Sequence, residues 1–133
     1  WANDITMMHY KFGVKEWFEK NKHDKELMNN YLNFRLAMCK EELDETMDAI
    51  EAKDPEEIVD GLIDLCVFAI GTLDVFGVDA NEAWDRVYEA NMAKSPGVKE
   101  GRPNPFGLPD LIKPEGWTAP THEANHGNFP DAV

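Results

Sequence analysis

The stretch that decides the fold is KELMNNYLNFRLAMCKEELDETMDAIEA, residues 25–52. Within it, apolar residues recur every three or four positions, which is the spacing of one face of an α-helix. They are Leu32, Leu36, Cys39, Leu43, Met47 and Ile50. The pattern predicts a long amphipathic helix that packs against other helices through this apolar stripe.

The residues that follow predict a second long helix. Asp54 and Pro55 form a typical cap and first-turn pair, and the helix is expected to continue to about Phe76, where Gly77 ends it. Its middle, Leu65–Ile70, is apolar on every side, which predicts a helix that is buried all round.

Two further helices flank this pair. One is predicted over Asn3–Lys20, where apolar residues are spaced for one face. The other opens at Asp79, with Glu82 three residues later as in a capping box, and ends near Ser95–Gly97. The chain is therefore predicted to be all-α, with a four-helix bundle over residues 1–97.

Prolines and glycines recur too often after Pro96 for regular structure. Residues 98–133 are therefore predicted to be an extended, irregular, Pro/Gly-rich C-terminal tail. Its apolar residues suggest that it packs on the bundle or on a neighbouring subunit; they are Phe106, Leu108, Leu111, Ile112 and Trp117. The last dozen residues, from His122, give no reason to expect order.

The formal net charge of −13 disfavours sequence-independent binding to DNA or RNA, because the phosphate backbone would be repelled. A nucleoside triphosphate can still bind an acidic site if divalent cations neutralise both. No apolar run approaches the ~20 residues of a membrane helix, and nothing resembles a secretion signal. Cys39 and Cys66 are predicted to be free thiols in a reducing compartment, and a cytoplasmic location is expected.

The first long helix carries the run Glu41-Glu42-Leu43-Asp44-Glu45. At about 100° per residue, Glu42 and Glu45 lie at the border of the apolar stripe, from which a carboxylate can point into a crevice between helices. Glu41 lies nearly opposite the stripe. Taken alone, such a run is more typical of a solvated acidic face than of a functional site.

The second long helix makes a functional cluster the better interpretation. Glu57, Asp60 and Asp64 share one narrow face, and a carboxylate there is costly to desolvate unless it is paired or bound to metal. No Lys or Arg lies between Lys53 and Arg86. Negatively charged side chains that come together from two helices need a cation to neutralise them. Carboxylate oxygens are ligands that suit Mg²⁺ or Mn²⁺.

These motifs, in this order, resemble the MazG-like all-α NTP pyrophosphohydrolases, and most closely the phage-type members that are similar to phosphoribosyl-ATP pyrophosphohydrolase. The resemblance runs from His9 to Pro120. It rests on His9 and Phe12, Glu41 to Glu45, Asp60 and Asp64, Gly71, Gly77 to Asp79, Asn91 to Lys94, and Lys113 to Trp117.

One motif departs from the family pattern, which is Glu-x-x-Asp on the second long helix. Counting back from Gly77, the family's Asp falls on Asp64, and Gly61 stands where the Glu is expected. Asp60 is the natural substitute, one residue earlier. In the alternative assignment, Glu57 and Asp60 form the motif and Asp64 is an additional ligand.

The resemblance implies cleavage of a (d)NTP between its α- and β-phosphates, giving the monophosphate and pyrophosphate. Glu42, Glu45, Asp60 and Asp64 would hold Mg²⁺, with Mn²⁺ as the other possible ion, and Glu41 would orient or deprotonate the attacking water. The alternatives are phosphoribosyl-ATP pyrophosphohydrolase itself, which acts on a histidine precursor, and a non-catalytic acidic helical adaptor.

The resemblance also suggests residues that contact the substrate. Lys94 would meet the outer phosphates and Asn91 the sugar or a phosphate, although Lys94 also suits a helix C-terminus in any protein. His9 and Phe12 are candidates for the nucleobase, although aromatics at helical spacing are more often core residues. A homodimer or homotetramer is expected by analogy with the family, in the host cytoplasm if the chain is phage-encoded.

Overall fold

The computed structural model describes residues 1–133. Most of the chain is helical, which confirms the all-α prediction, and a short antiparallel strand pair and one 3₁₀ turn follow the helices. The helices are α1 Ala2–Lys11, α2 Val14–Asn21, α3 Lys25–Ala52, α4 Pro55–Val75 and α5 Ala80–Met92. The strands are β1 Ser95–Gly97 and β2 Asp110–Ile112, and the 3₁₀ turn is Phe129–Asp131.

The predicted count of four helices is wrong, because the first predicted helix is two. Gly13 has a left-handed backbone conformation, with φ of 77°. That conformation ends α1 and starts α2 in a new direction, and glycine adopts it without the steric cost that a Cβ atom would impose.

The ends of α3 and α4 follow from local chemistry, and the Asp54 cap of α4 was predicted. The Asp24 side chain accepts a hydrogen bond from the backbone N–H of Leu27, which caps α3. Lys53 takes a left-handed conformation and ends this helix. Asp54 then accepts from two N–H groups in the first turn of α4.

The chain forms two compact units. The first comprises Trp1–Ala80 together with Ala124–Val133, and the second comprises Asn81–Glu123. The end of the chain belongs to the first unit because it packs with α2, α3 and the end of α4, and the predicted domain division at residue 97 stays a prediction. In the second unit, β1 and β2 pair with Ser95 opposite Ile112.

The core of the first unit is aromatic and lies where α2, α3 and α4 meet the end of the chain. Phe76 is fully buried, and its ring stacks on Phe129 with the centroids 4.8 Å apart. The same ring contacts Phe18 edge-on at 5.2 Å. Around Phe76 the other buried members are Met28, Val75 and Ala132.

The expectation that the last dozen residues lack order is wrong. Ala132 is fully buried, and its carbonyl accepts a hydrogen bond from the Asn29 amide. The Asn125 side chain both accepts from and donates to the backbone of Asp79. These contacts join segments far apart in sequence, so composition and local patterning did not reveal them.

Two expectations about burial also need correction. Only the N-terminal part of the α3 stripe packs in the core, through Leu32, whereas Leu36, Leu43, Met47 and Ile50 are between 46% and 59% exposed. Likewise, no residue of Leu65–Ile70 is fully buried in the single chain. Both helices therefore present apolar side chains to the outside of the molecule.

None of the five helices by itself combines the length and the hydropathy of a membrane span; only the sequences of α4 and α5 counted as a pair meet that criterion.

Candidate active site

The side of α3 that meets α4 is lined by small and polar residues. Arg35, Thr46 and Ala49 are buried, and Glu42 lies half-buried on the same side. At about 100° per residue, this side is about a quarter of a turn away from the exposed apolar stripe. Glu42 therefore faces α4 because of how the two helices pack.

Gly61 lets α3 and α4 approach closely beside Glu42. A Cβ atom on Gly61 would lie 2.3 Å from Oγ1 of Thr46 and 3.5 Å from the carbonyl oxygen of Glu42. The Thr46 hydroxyl donates to that same carbonyl at 2.7 Å. Gly61 stands where the family resemblance expects a glutamate. It faces directly into α3, so there is no room for a side chain at this position.

Five carboxylates from the two helices interact around this contact. Partial burial raises the pKa of Glu42, and the negative charges of its neighbours raise it further. In decreasing order, those neighbours are Asp64, Glu45, Glu41 and Asp60. The structure therefore brings Asp60 and Asp64 of α4 within electrostatic range of Glu42, together with the other two glutamates of α3.

No protein cation neutralises this cluster. None of its five carboxylates forms an ion pair, whereas Asp44 on the outer side of α3 pairs with Lys40 at 2.5 Å. Glu57 is not among the charges that act on Glu42. The carboxylates do not converge on a single coordination site. No three Asp, Glu, His or Cys side chains are placed to bind one metal ion together.

His9 lies in a second polar cluster, at the contact between α1 and α4. The residue is 8% exposed, and its Nδ1 atom lies 2.6 Å from the Asp74 carboxylate. The Thr6 hydroxyl donates to Asp74 at 2.6 Å, and the Lys15 ammonium forms an ion pair with it at 2.8 Å.

Sequence reasoning missed Asp74. A usable signal was present, because Asp74 is a carboxylate near the end of a strongly apolar helix that has no Lys or Arg of its own. Burial would raise the pKa of Asp74, but hydrogen bonds from Lys15, Thr6 and His9 together hold it below its ordinary value.

Sequence reasoning also missed Arg35, which is buried without a carboxylate partner. Its guanidinium donates to the Thr72 hydroxyl at 3.2 Å and to the Phe68 carbonyl at 3.3 Å. Gly71 leaves room for it, since a Cβ atom there would lie 2.6 Å from Nη2 of Arg35 and 3.4 Å from Nε2 of His9. The glycine therefore lets these two basic groups meet between the helices.

The family model for phosphoribosyl-ATP pyrophosphohydrolase matches residues 11–91, which is more than half of the chain. The chain belongs to this family. The family is part of the MazG-like all-α NTP pyrophosphohydrolase superfamily, so the resemblance drawn from the sequence is confirmed. No curated protein and no solved structure matches the chain.

Family membership establishes the class of enzyme. The phosphoribosyl-ATP pyrophosphohydrolase family comprises pyrophosphohydrolases, which are hydrolases acting on acid anhydrides, and this chain is one of them. The matched segment contains the five carboxylates of α3 and α4, Arg35 and Asp74. The chemistry of the family and the charged cluster therefore lie in the same part of this chain.

The predicted substrate contacts lie at or beyond the edges of the family match. His9 precedes residue 11, and Phe12 just inside it is 67% exposed, with Lys11 over its ring. Asn91 and Lys94 belong to the second unit, where the Lys94 ammonium donates to Oδ1 of Asn91 at 2.9 Å. Their roles toward a nucleotide stay predictions.

Proposed function

We propose that this family member is a Mg²⁺-dependent nucleoside triphosphate pyrophosphohydrolase that converts a (d)NTP into the (d)NMP and pyrophosphate. The observation that supports this proposal is the position of Glu42. It faces a neighbouring helix, four other carboxylates raise its pKa, and none of the five has a basic partner. Such an arrangement is stabilised when a divalent cation binds.

The donor set fits magnesium. Glu42, Glu45, Asp60 and Asp64 offer only carboxylate oxygens, which Mg²⁺ prefers, and the cluster contains no sulfur or imidazole that would favour zinc. When bound, the ion supplies charge neutralisation for the phosphates and lowers the pKa of a coordinated water.

The chain's own residues supply the remaining steps. In the hydrolysis, the water oxygen forms a bond to the α-phosphorus, and the bond from the α-phosphorus to the oxygen that bridges the α- and β-phosphates breaks. The bridging oxygen leaves with pyrophosphate. Glu41 is our candidate for the base that accepts the proton of the water, because it is exposed and close enough to act electrostatically on Glu42.

The decisive experiment is a panel of ribo- and deoxyribonucleoside triphosphates incubated with the protein and Mg²⁺. We expect monophosphate and pyrophosphate in equal amounts from at least one of them. Asp64→Asn should lower kcat/KM by at least about 100-fold, whereas Asp44→Asn on the outer side of α3 should leave it within about twofold. Orthophosphate as the only product, or no turnover with any nucleotide, would refute the proposal.

A second candidate is phosphoribosyl-ATP hydrolysis, which the name of the matching family favours. The chemistry is the same, since both substrates carry an α–β anhydride. Competition separates the two candidates: the true substrate should show the higher kcat/KM when both compounds are present. The third alternative drawn from the sequence, a non-catalytic acidic adaptor, does not fit membership of a pyrophosphohydrolase family.

The proposal includes a homodimer or a larger homo-oligomer. In the single chain, large apolar residues of α3 and α4 remain exposed, and a second copy could cover both helices. Besides the α3 stripe, the exposed set includes Phe34, Val59, Leu62 and Ile63. Sedimentation equilibrium tests this part: a dimer or tetramer is expected at micromolar concentration, and a monomer at all concentrations would contradict it.

A further inference from the structure

A cavity of about 430 Å³ lies in the second unit, lined by residues of β1, β2 and the loop that joins them. Small-molecule sites in proteins have volumes of roughly 300–1,000 Å³, so this cavity is large enough for a small ligand. The pairing of Gly97 with Asp110 brings the end of β1 and the start of β2 together at the cavity. The lining contains none of the carboxylates of α3 and α4, so the cavity is not part of the candidate active site.

The walls of this cavity are mainly apolar. Two of them, Val98 and Leu108, are 72% and 64% exposed, so a ligand that filled the cavity would remove apolar surface from water. Three more lining residues are prolines, whose rings fix the backbone φ angle and leave less conformational freedom to lose on binding. These prolines are Pro96, Pro103 and Pro109.

Two residues of the lining have polar side chains, Asn104 and Asp110, and both are half-buried. The Asn104 side-chain oxygen accepts a hydrogen bond from the backbone N–H of Phe106 at 2.9 Å, which leaves its NH₂ group free to donate. The Asp110 carboxylate forms no ion pair, although Lys99 and Arg102 lie in the same loop. The cavity therefore combines apolar walls with a negative charge that no basic side chain neutralises.

We propose that this cavity binds a small organic cation, an amine with an apolar body. Its ammonium group would pair with the Asp110 carboxylate, and its apolar body would cover Val98 and Leu108. The net charge of −13 attracts cations to the protein and repels anions of the same size. A bare divalent ion fits less well, because it needs several oxygen ligands and the lining offers one carboxylate.

The test is a ligand-observed NMR titration of the full-length protein with three probes of similar size and different charge. They are phenethylammonium, the neutral 2-phenylethanol and the anion 3-phenylpropionate. Phenethylammonium should bind at least about tenfold more tightly than 3-phenylpropionate, because only the cation can pair with Asp110. No binding of phenethylammonium, or equal affinities for the cation and the anion, would overturn the proposal.

Two variants locate the site. Asp110→Asn should weaken phenethylammonium binding at least about fivefold and leave 2-phenylethanol binding within about twofold. Asp85→Asn is the matched control, because it makes the same charge change at an exposed residue of the same unit outside the cavity. It should bind like wild type, which separates the site from general attraction of cations to an acidic protein.

Leu108→Ala should weaken the binding of phenethylammonium and of 2-phenylethanol alike, because it removes part of an apolar wall. Circular dichroism shows whether each variant is folded, and Leu108→Ala and the three probes decide the matter if Asp110→Asn is not. Wild-type affinity in folded Asp110→Asn, or in Leu108→Ala, would overturn the site. The proposal does not depend on the proposed function, so Asp64→Asn should lose turnover and still bind phenethylammonium like wild type.

Discussion

Asp74 shows how one buried carboxylate can join two helices. It bonds Thr6 and His9 of α1 and also pairs with Lys15 of α2. Asp74→Asn would leave Lys15 without its counter-charge and would remove the charged acceptor of Thr6 and His9, and we expect the free energy of unfolding at pH 7 to fall by about 2–4 kcal/mol. Chemical denaturation measures this loss, and Asp4→Asn, at an exposed carboxylate, is the control.

The same residue predicts a pH dependence. The pKa of Asp74 is lowered in the folded protein from its ordinary value of 3.8, so the folded state holds its proton less tightly than the unfolded chain. Its contribution to stability is therefore fully present above about pH 4 and is lost as the pH falls further, through the folded-state pKa. Asp74→Asn should flatten this part of the stability curve; an unchanged slope between pH 4 and pH 2 would count against the network.

The pKa of Glu42 is shifted in the opposite direction to that of Asp74. Its pKa is raised by partial burial and by the surrounding carboxylates, so its ionised form opposes folding above its ordinary value of 4.5. We expect Glu42→Gln to raise the melting temperature in EDTA at pH 7. Mg²⁺ should raise the melting temperature of the wild type and have little effect on this variant. Scanning fluorimetry measures the melting temperatures of both proteins with and without Mg²⁺. An equal rise in melting temperature for wild type and Glu42→Gln would contradict a metal site at Glu42.

At the scale of the elements, Gly61 sets how closely α3 and α4 approach. Gly61→Ala adds a methyl group 2.3 Å from Oγ1 of Thr46, and the overpacking should cost about 1–3 kcal/mol although alanine favours helices. Thr46→Ala removes the clashing hydroxyl, so the double variant should recover most of the loss. Denaturant titration of the single and double variants tests this coupling.

The control for this pair is Gly101→Ala, where the added methyl group would meet nothing within 4 Å. Its stability should be unchanged within about 0.5 kcal/mol. If Gly61→Ala proves as stable as the wild type, the two helices are not in contact at Gly61, and the position of Glu42 next to α4 would need another explanation.

At the scale of the whole molecule, the end of the chain completes the core of the first unit. Phe129 stacks on Phe76, and Phe129→Ala should lower the free energy of unfolding by about 2–4 kcal/mol by removing this contact. Val133→Ala, at an exposed terminal residue, should have little effect. Equal stability of the two variants would mean that the terminal segment does not support the core.

Local chemistry in the sequence was sufficient to determine where most helices begin and end. Asp24 and Asp54 cap α3 and α4, and their effect reaches only the next three residues. The carboxylate pairs Glu42 with Glu45 and Asp60 with Asp64 were likewise visible, because each pair lies on one helix. Gly13 was the exception, since a glycine within an apolar pattern does not reveal that its backbone is left-handed.

Only the tertiary structure decided which surfaces meet. Most of the apolar stripe of α3, from Leu36 to Ile50, stays largely exposed in the single chain, while Glu42 and Thr46 face α4. Asp74 meets His9 across 65 positions of sequence, and Phe76 meets Phe129 from the far end of the chain. Helical periodicity shows which residues share one face of a helix. Which other surface that face packs against depends on the shape and charge of segments that are distant in the sequence.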